Sequence, residues 1–248
     1  MRPAQIALAA ALCSGCSAQI SDGRDPTLGG ITTPDAGTTG TGTGGDAGPT
    51  ECSRRTVYLN FDGQVLIQGP SDATINQAQW LNMPAGLAPP FRLNDTGRDM
   101  VIQTIVDGVT RQLARFPITV TRTRPSTGDY VMIVYGGSQD DVGSNFSAAV
   151  NQLDCGDTRP NDVAWIADNV TGQRAINTTI GAIGFGLGLT ATADTRDCMC
   201  SWANRCSPDN TAPCTLGSPI ARDSQASQRC PGTTSQDEVA VFRTAFCQ

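Results

Sequence analysis

The chain contains no histidine and no lysine, and its only glutamates are Glu51 and Glu238. The first absence removes the imidazole needed for Ser-His-Asp and Cys-His catalysis and for most zinc sites. The second removes amine nucleophiles, Schiff bases and the lysine of a phosphate-binding loop. All seventeen basic residues are arginine, so a carboxylate mechanism in the middle of the chain has only aspartate to use. The formal net charge is -6 and the one adjacent basic pair is Arg54-Arg55. An acidic chain without a basic stripe has no means of gripping phosphates, which excludes a nucleic-acid partner. Long apolar runs are missing too. The longest, Ile180 to Leu189, is about half of what a membrane helix needs. There is no G-x-S-x-G elbow, and the glycines from 181 to 188 match neither phosphate-loop pattern.

The first residues read as an export signal. A short positive start at Met1-Arg2 precedes the apolar run Ile6 to Cys13, and Ser14-Gly15-Cys16 resembles the lipobox of a bacterial lipoprotein. The expectation is a signal over 1–18 with Cys16 acylated, tethering the protein to an outer membrane or cell surface by lipid alone. Cleavage after Ala18 by an ordinary signal peptidase, giving a secreted or periplasmic protein, is the alternative. Residues 19–51 are rich in Gly, Thr, Pro and Asp. A stretch with so little apolar surface cannot offset its ordering entropy and reads as a flexible spacer.

Eight cysteines follow the signal: Cys52, Cys155, Cys198, Cys200, Cys206, Cys214, Cys230 and Cys247. An even number in an exported chain points to disulfides. Their connectivity is open, since eight cysteines allow about a hundred complete pairings. Cys198-Met199-Cys200 lacks the spacing of a zinc ribbon. The folded part divides into an α/β segment over 52–197 and a Cys-rich C-terminal part over 198–248.

Val57 to Phe61 and Gln64 to Ile67, joined by Asp62-Gly63, read as strands of a hairpin. Apolar residues at 102, 105, 106, 109, 113 and 116 lie on one helical face over Arg98 to Phe116, with Thr96 and Asp99 spaced as a cap. Ile118 to Thr121, Tyr130 to Tyr135 and Asp162 to Ala167 read as further strands. Ser235 and Glu238 form a capping-box pattern ahead of a terminal helix that Cys247 would pin. Strand, helix, strand, strand, helix implies an α+β fold with a mixed sheet.

The segment Asn177 to Cys200, NTTIGAIGFGLGLTATADTRDCMC, carries the sharpest signal. It resembles the metzincin zinc-peptidase signature H-E-x-x-H-x-x-G-x-x-H with its later Met-turn. The motif falls on Gly181, Ala182, Phe185, Gly188 and Ala191, with Met199 at the Met-turn, and only the glycine is kept. The flanking Ile183-Gly184 and Leu187-Gly188-Leu189 match the family's usual form. So does the upstream order VYLNFDG, helix, strand, YVMIVYGG, LDCGDTRPNDVAWIAD.

The resemblance implies a zincin-like twisted mixed sheet with two main helices and a disulfide-rich C-terminal subdomain. In the intact motif three histidines bind zinc and the glutamate activates its water. Gly181, Phe185 and Ala191 supply no donor and Ala182 accepts no proton, so zinc and hydrolysis are both expected to be lost. What the resemblance leaves is a monomeric pseudo-peptidase that binds peptide or protein through a vestigial cleft. In metzincins an edge strand beside the metal helix pairs with extended peptide, and Tyr130 to Gly137 is the expected edge. Two other readings stand beside it. One is a hydrolase with an aspartate-based metal site, for instance a calcium-type site of Asp194 and Asp197. The other is a structural or adhesive surface protein with Phe185 filling the former zinc space.

Overall fold

The structure is a computed structural model that describes residues 55–201, 205–225, 229–232 and 234–245. The signal, the spacer, Cys16, Cys52 and Cys247 lie outside the described residues. No helix among the described residues is long and apolar enough to cross a membrane.

The fold is α+β. In chain order it contains β1 (Thr56–Asn60), β2 (Gln64–Gln68), β3 (Gln77–Ala78), β4 (Ala85–Ala88), α1 (Arg98–Leu113), β5 (Thr119–Thr121) and β6 (Tyr130–Tyr135). There follow α2 (Gln139–Val142), β7 (Ala149–Val150), β8 (Val163–Ile166), α3 (Gly172–Gly186), β9 (Ile220–Ala221), β10 (Ser235–Gln236) and α4 (Glu238–Thr244). The main sheet runs β5-β1-β6-β8-β7. Its first four strands are parallel and the edge strand β7 is antiparallel to β8.

Burial explains the order. All six residues of YVMIVY in β6 and all four of VAWI in β8 are buried, as a parallel sheet covered on both faces requires. Beneath the helices Phe61 stacks on Tyr135 with centroids 4.3 Å apart. Ile102, Ile105, Val109 and Leu113 form the buried stripe of α1, which packs beside α3.

Four expectations are corrected. The hairpin between Val57–Phe61 and Gln64–Ile67 does not form. Both sides of β1 are taken, by β5 and β6, so β2 leaves at Asp62-Gly63 for a separate sheet of order β3-β2-β4. Tyr130 to Gly137 is not an edge, because β6 is bonded on both sides, to β1 and β8. The Thr96–Asp99 cap is replaced: Gly97 is the N-cap, and Asp95 accepts the Gly97 N–H at 2.7 Å, while the helix ends at Leu113 rather than Phe116. The terminal helix is capped by Asp237, whose side chain accepts the Ala240 N–H at 2.8 Å. Ser235 is drawn into β10 and Glu238 is fully buried, because its carboxyl is engaged by the core rather than by the helix end.

Three disulfides form among the described residues: Cys155–Cys230, Cys198–Cys214 and Cys200–Cys206. The C-terminal part shares one core with the sheet. Met199, Leu216 and Phe242 are buried in the same cluster, and the Phe242 ring lies 5.3 Å from that of Phe116. Phe242→Ala should therefore lower the unfolding free energy by about 3–5 kcal/mol in urea titration followed by circular dichroism. A loss below about 1 kcal/mol would show that the last helix is peripheral.

Candidate functional site

Helix α3 has two faces of different character. Ala175, Ile176, Thr179, Ile180 and Ile183 are buried on its inner side, and the Tyr135 hydroxyl meets Thr179 there. At intervals of three and one, Arg174, Asn177, Thr178, Gly181, Ala182 and Phe185 line a cleft of 1160 Å³. The 3.6-residue period places these six on a single stripe.

The helix stops in a Schellman motif. Gly188 adopts φ +83°, its N–H donates to Phe185 O at 3.1 Å, and the Leu189 N–H donates to Gly184 O at 2.9 Å. The left-handed conformation and a Cβ position only 2.7 Å from Asp154 O both require glycine. The turn sends the chain back so that Ala191 joins Gly181, Ala182 and Phe185 around the cleft. The four positions on which the sequence pattern was laid, Gly181, Ala182, Phe185 and Ala191, thus line one cleft, and Gly188 makes the turn between them.

The segment after that turn closes on the helix. A Cβ on Gly181 would stand 2.5 Å from the carbonyl oxygen of Cys198, and one on Gly184 would stand 2.5 Å from Met199 Sδ. Met199 is completely buried against the helix. The side-chain space at Gly181 is therefore occupied by main chain.

A buried acid pair holds this segment in place. Asp197 Oδ1 accepts Thr192 Oγ1 at 3.0 Å and the Met199 N–H at 2.8 Å. Glu238 accepts the Gly217 N–H at 2.8 Å and Gln236 Nε2 at 2.7 Å. The two carboxyls face each other, and Asp197 Oδ2 has no donor other than a protonated Glu238. Burial first, and the Asp197 charge second, push Glu238 up to about 8 from its usual 4.5. Burial raises Asp197 as well. Asp194 behaves differently: it is exposed and accepts the Arg196 N–H at 3.0 Å. The two aspartates considered for calcium thus have separate tasks. Among the described residues no group of three or more Cys, Asp or Glu side chains is arranged around a metal position.

The opposite wall was not foreseen. Asn145 to Leu153, including edge strand β7, lines the cleft along its length, with Trp80 at one side. In the antiparallel ladder Ala148 O accepts the Ala167 N–H at 2.8 Å, and Ala149 stands opposite Ile166. Alternation of bonded and non-bonded pairs then directs the peptide groups of Ala149 away from β8. Asn151 fixes this strand to the helix, its Nδ2 donating to Ala182 O at 2.7 Å. Behind it Asp162, 1% exposed, is pushed up to about 7 by burial against the opposing pull of Arg159. The signal for this wall was the amide-rich stretch SNFSAAVNQ, which reads as a plain loop until its place beside α3 is known.

No family model matches the chain, and no curated protein matches it.

Two outcomes test the site's construction. Gly181→Ala should destabilise the fold by about 1–3 kcal/mol through the clash with Cys198 O, measured by thermal melting. An unchanged midpoint would mean that the segment is free to move away. Because burial raises Glu238 from 4.5 to about 8 on folding, its contribution to stability is fully present below pH 4.5 and is lost as pH rises to about 8, at up to about 1.4 kcal/mol per pH unit. Asp197→Asn keeps both bonds to Oδ1, removes the neighbouring charge and offers Glu238 a neutral donor, so it should reduce that slope in urea titrations between pH 5 and 8 while burial keeps part of it. An undiminished slope would assign the titration to other groups.

Proposed function

We propose that the chain is an exported, catalytically inactive peptidase-like lipoprotein that holds an extended peptide or protein segment in the cleft between β7 and α3. The export and lipid-anchor parts of this reading rest on residues 1–18, with Cys16 as the acylated position. The metzincin-like part is supported by the placement of Gly181, Ala182, Phe185, Gly188 and Ala191 around one turn and of Met199 beneath the helix. None of those side chains can bind zinc or move a proton.

The observation that carries the reading is the pairing of a sheet edge, open among the described residues, with a helix face across a 1160 Å³ cleft. An edge strand with unused peptide groups binds extended chain by adding a strand, and adjacent pockets take alternate side chains. Here Ala149 offers those peptide groups and Ala182, Phe185 and Trp80 offer the apolar surface. Phe185 packs partly into the core, which favours the filled-cleft alternative, but the cleft that remains is large enough for a segment of peptide.

The test is fluorescence anisotropy of the purified protein with a library of capped hexapeptides rich in β-branched residues. Saturable binding is expected. N-methylation of a bound peptide at every second residue should abolish it, while methylation of the intervening residues leaves it intact. Binding insensitive to N-methylation would remove the strand-addition mechanism, and no saturable binding at all would favour a structural or adhesive role.

A further inference from the structure

We infer that the cleft selects extended peptides carrying an acidic side chain near each end of a segment of about six residues, a specificity that rests on the peptide-binding reading above. The argument begins with the arginines. In this acidic chain the core-facing arginines are neutralised: Arg55 pairs with Asp157 at 2.9 Å, Arg98 with Asp62 at 3.2 Å and Arg159 with Asp162 at 3.5 Å. Arg174 and Arg229 line the cleft, are exposed, and take part in no ion pair among the described residues.

The cleft's carboxylates do not neutralise them. Asp197 is buried and shares its charge with Glu238. Asp209 turns to its own loop, accepting the Thr211 N–H at 3.0 Å and Thr211 Oγ1 at 2.6 Å, and the cation acting on it is Arg196. The exposed charges lining the cleft are thus two positive, Arg174 and Arg229, against one negative, Asp209, a positive excess in a protein whose net charge is -6.

The two arginines are rooted toward opposite ends of α3. Arg174 is in the first turn of α3. Arg229 precedes Cys230, which is bonded to Cys155, and the Cys155 backbone packs on the Gly188 turn beyond the other end of the helix, its Cα 3.5 Å from the Gly188 Cβ position. From Arg174 to Gly188 the helix axis advances about 20 Å. An extended strand covers that span in about six residues. Between the ends the walls are apolar and amide-bearing, from Ala182, Phe185, Trp80 and Asn177. A carboxylate at each end with apolar or amide residues between is the ligand these walls complement.

The test uses three pools of capped hexapeptides with the same β-branched interior and Asp, Asn or Lys at both ends, titrated against the purified protein. The Asp-ended pool is expected to bind about tenfold more tightly than the Asn-ended pool at low salt, and the preference should shrink in 0.5 M salt, about a 4 Å screening length. The double variant R174E/R229E should invert the order toward the Lys-ended pool, while R111E, an exposed α1 charge off the cleft, leaves it unchanged. A melting temperature like that of the parent establishes that the double variant is folded, and R174Q/R229Q, which should lose the preference without inverting it, serves if it is not. Equal binding of the Asp- and Asn-ended pools would overturn the charge selection and leave peptide binding standing. Binding of none of the three would overturn both.

Discussion

The approach of the Cys198 carbonyl to Gly181 is the constraint on which the rest of the site depends. Main chain can come so near a helix only where a residue has no Cβ, and the residue concerned stands where the zinc-peptidase pattern has its first histidine. The missing side chain at Gly181 is thus what admits the Cys198 carbonyl. Once Cys198 is seated, Met199 is buried beneath Gly184, Asp197 is turned toward Glu238, and the disulfides to Cys214 and Cys206 fix the outgoing loops. Gln112 of α1 joins the same knot, its Nε2 donating to Cys214 O at 2.9 Å. The glycines that weaken α3 as an isolated helix are repaid in packing against this segment.

The other side of the cleft follows from the sheet. Filling β1, β6 and β8 with buried residues leaves the short, polar stretch around β7 as the strand at the helix side. Its antiparallel direction leaves peptide groups of Ala149 pointing outward, and Asn151 ties it to Ala182 so that the groove keeps its width. Shape thus comes from the backbone, while the exposed charge along the cleft comes from Arg174, Arg229 and Asp209.

Much of the fold was legible in the sequence. The stripe at 102, 105, 109 and 113 and the continuous apolar runs of β6 and β8 each announce their environment by period alone. What could not be read was competition among partners. Gln64 to Ile67 looks like the second half of a hairpin, and only the occupation of both edges of β1 sends it elsewhere. Ser235 and Glu238 have capping-box spacing, yet burial gives Glu238 a partner 41 residues away in sequence at Asp197. In the site, the grouping of positions 181, 182, 185 and 191 was visible from the motif spacing. The β7 wall, Asn151, Arg174 and Arg229 were not, because short polar segments carry no periodicity and their meaning is set wholly by what they face.

The far wall of the cleft is fastened by residues 230–238. Glu238 locks Asp197, Gln236 bonds both peptide groups of Thr190, with Thr190 N–H donating at 3.0 Å and Gln236 Nε2 donating to Thr190 O at 2.8 Å, and Cys230 is needed by Cys155. A chain emerging from a ribosome or a translocation pore can therefore assemble its sheet and helices long before it owns a finished groove. A chain halted before residue 230 would hold the main sheet and α3 but lack the Cys155 bridge and the contacts that fix Thr190 and Asp197.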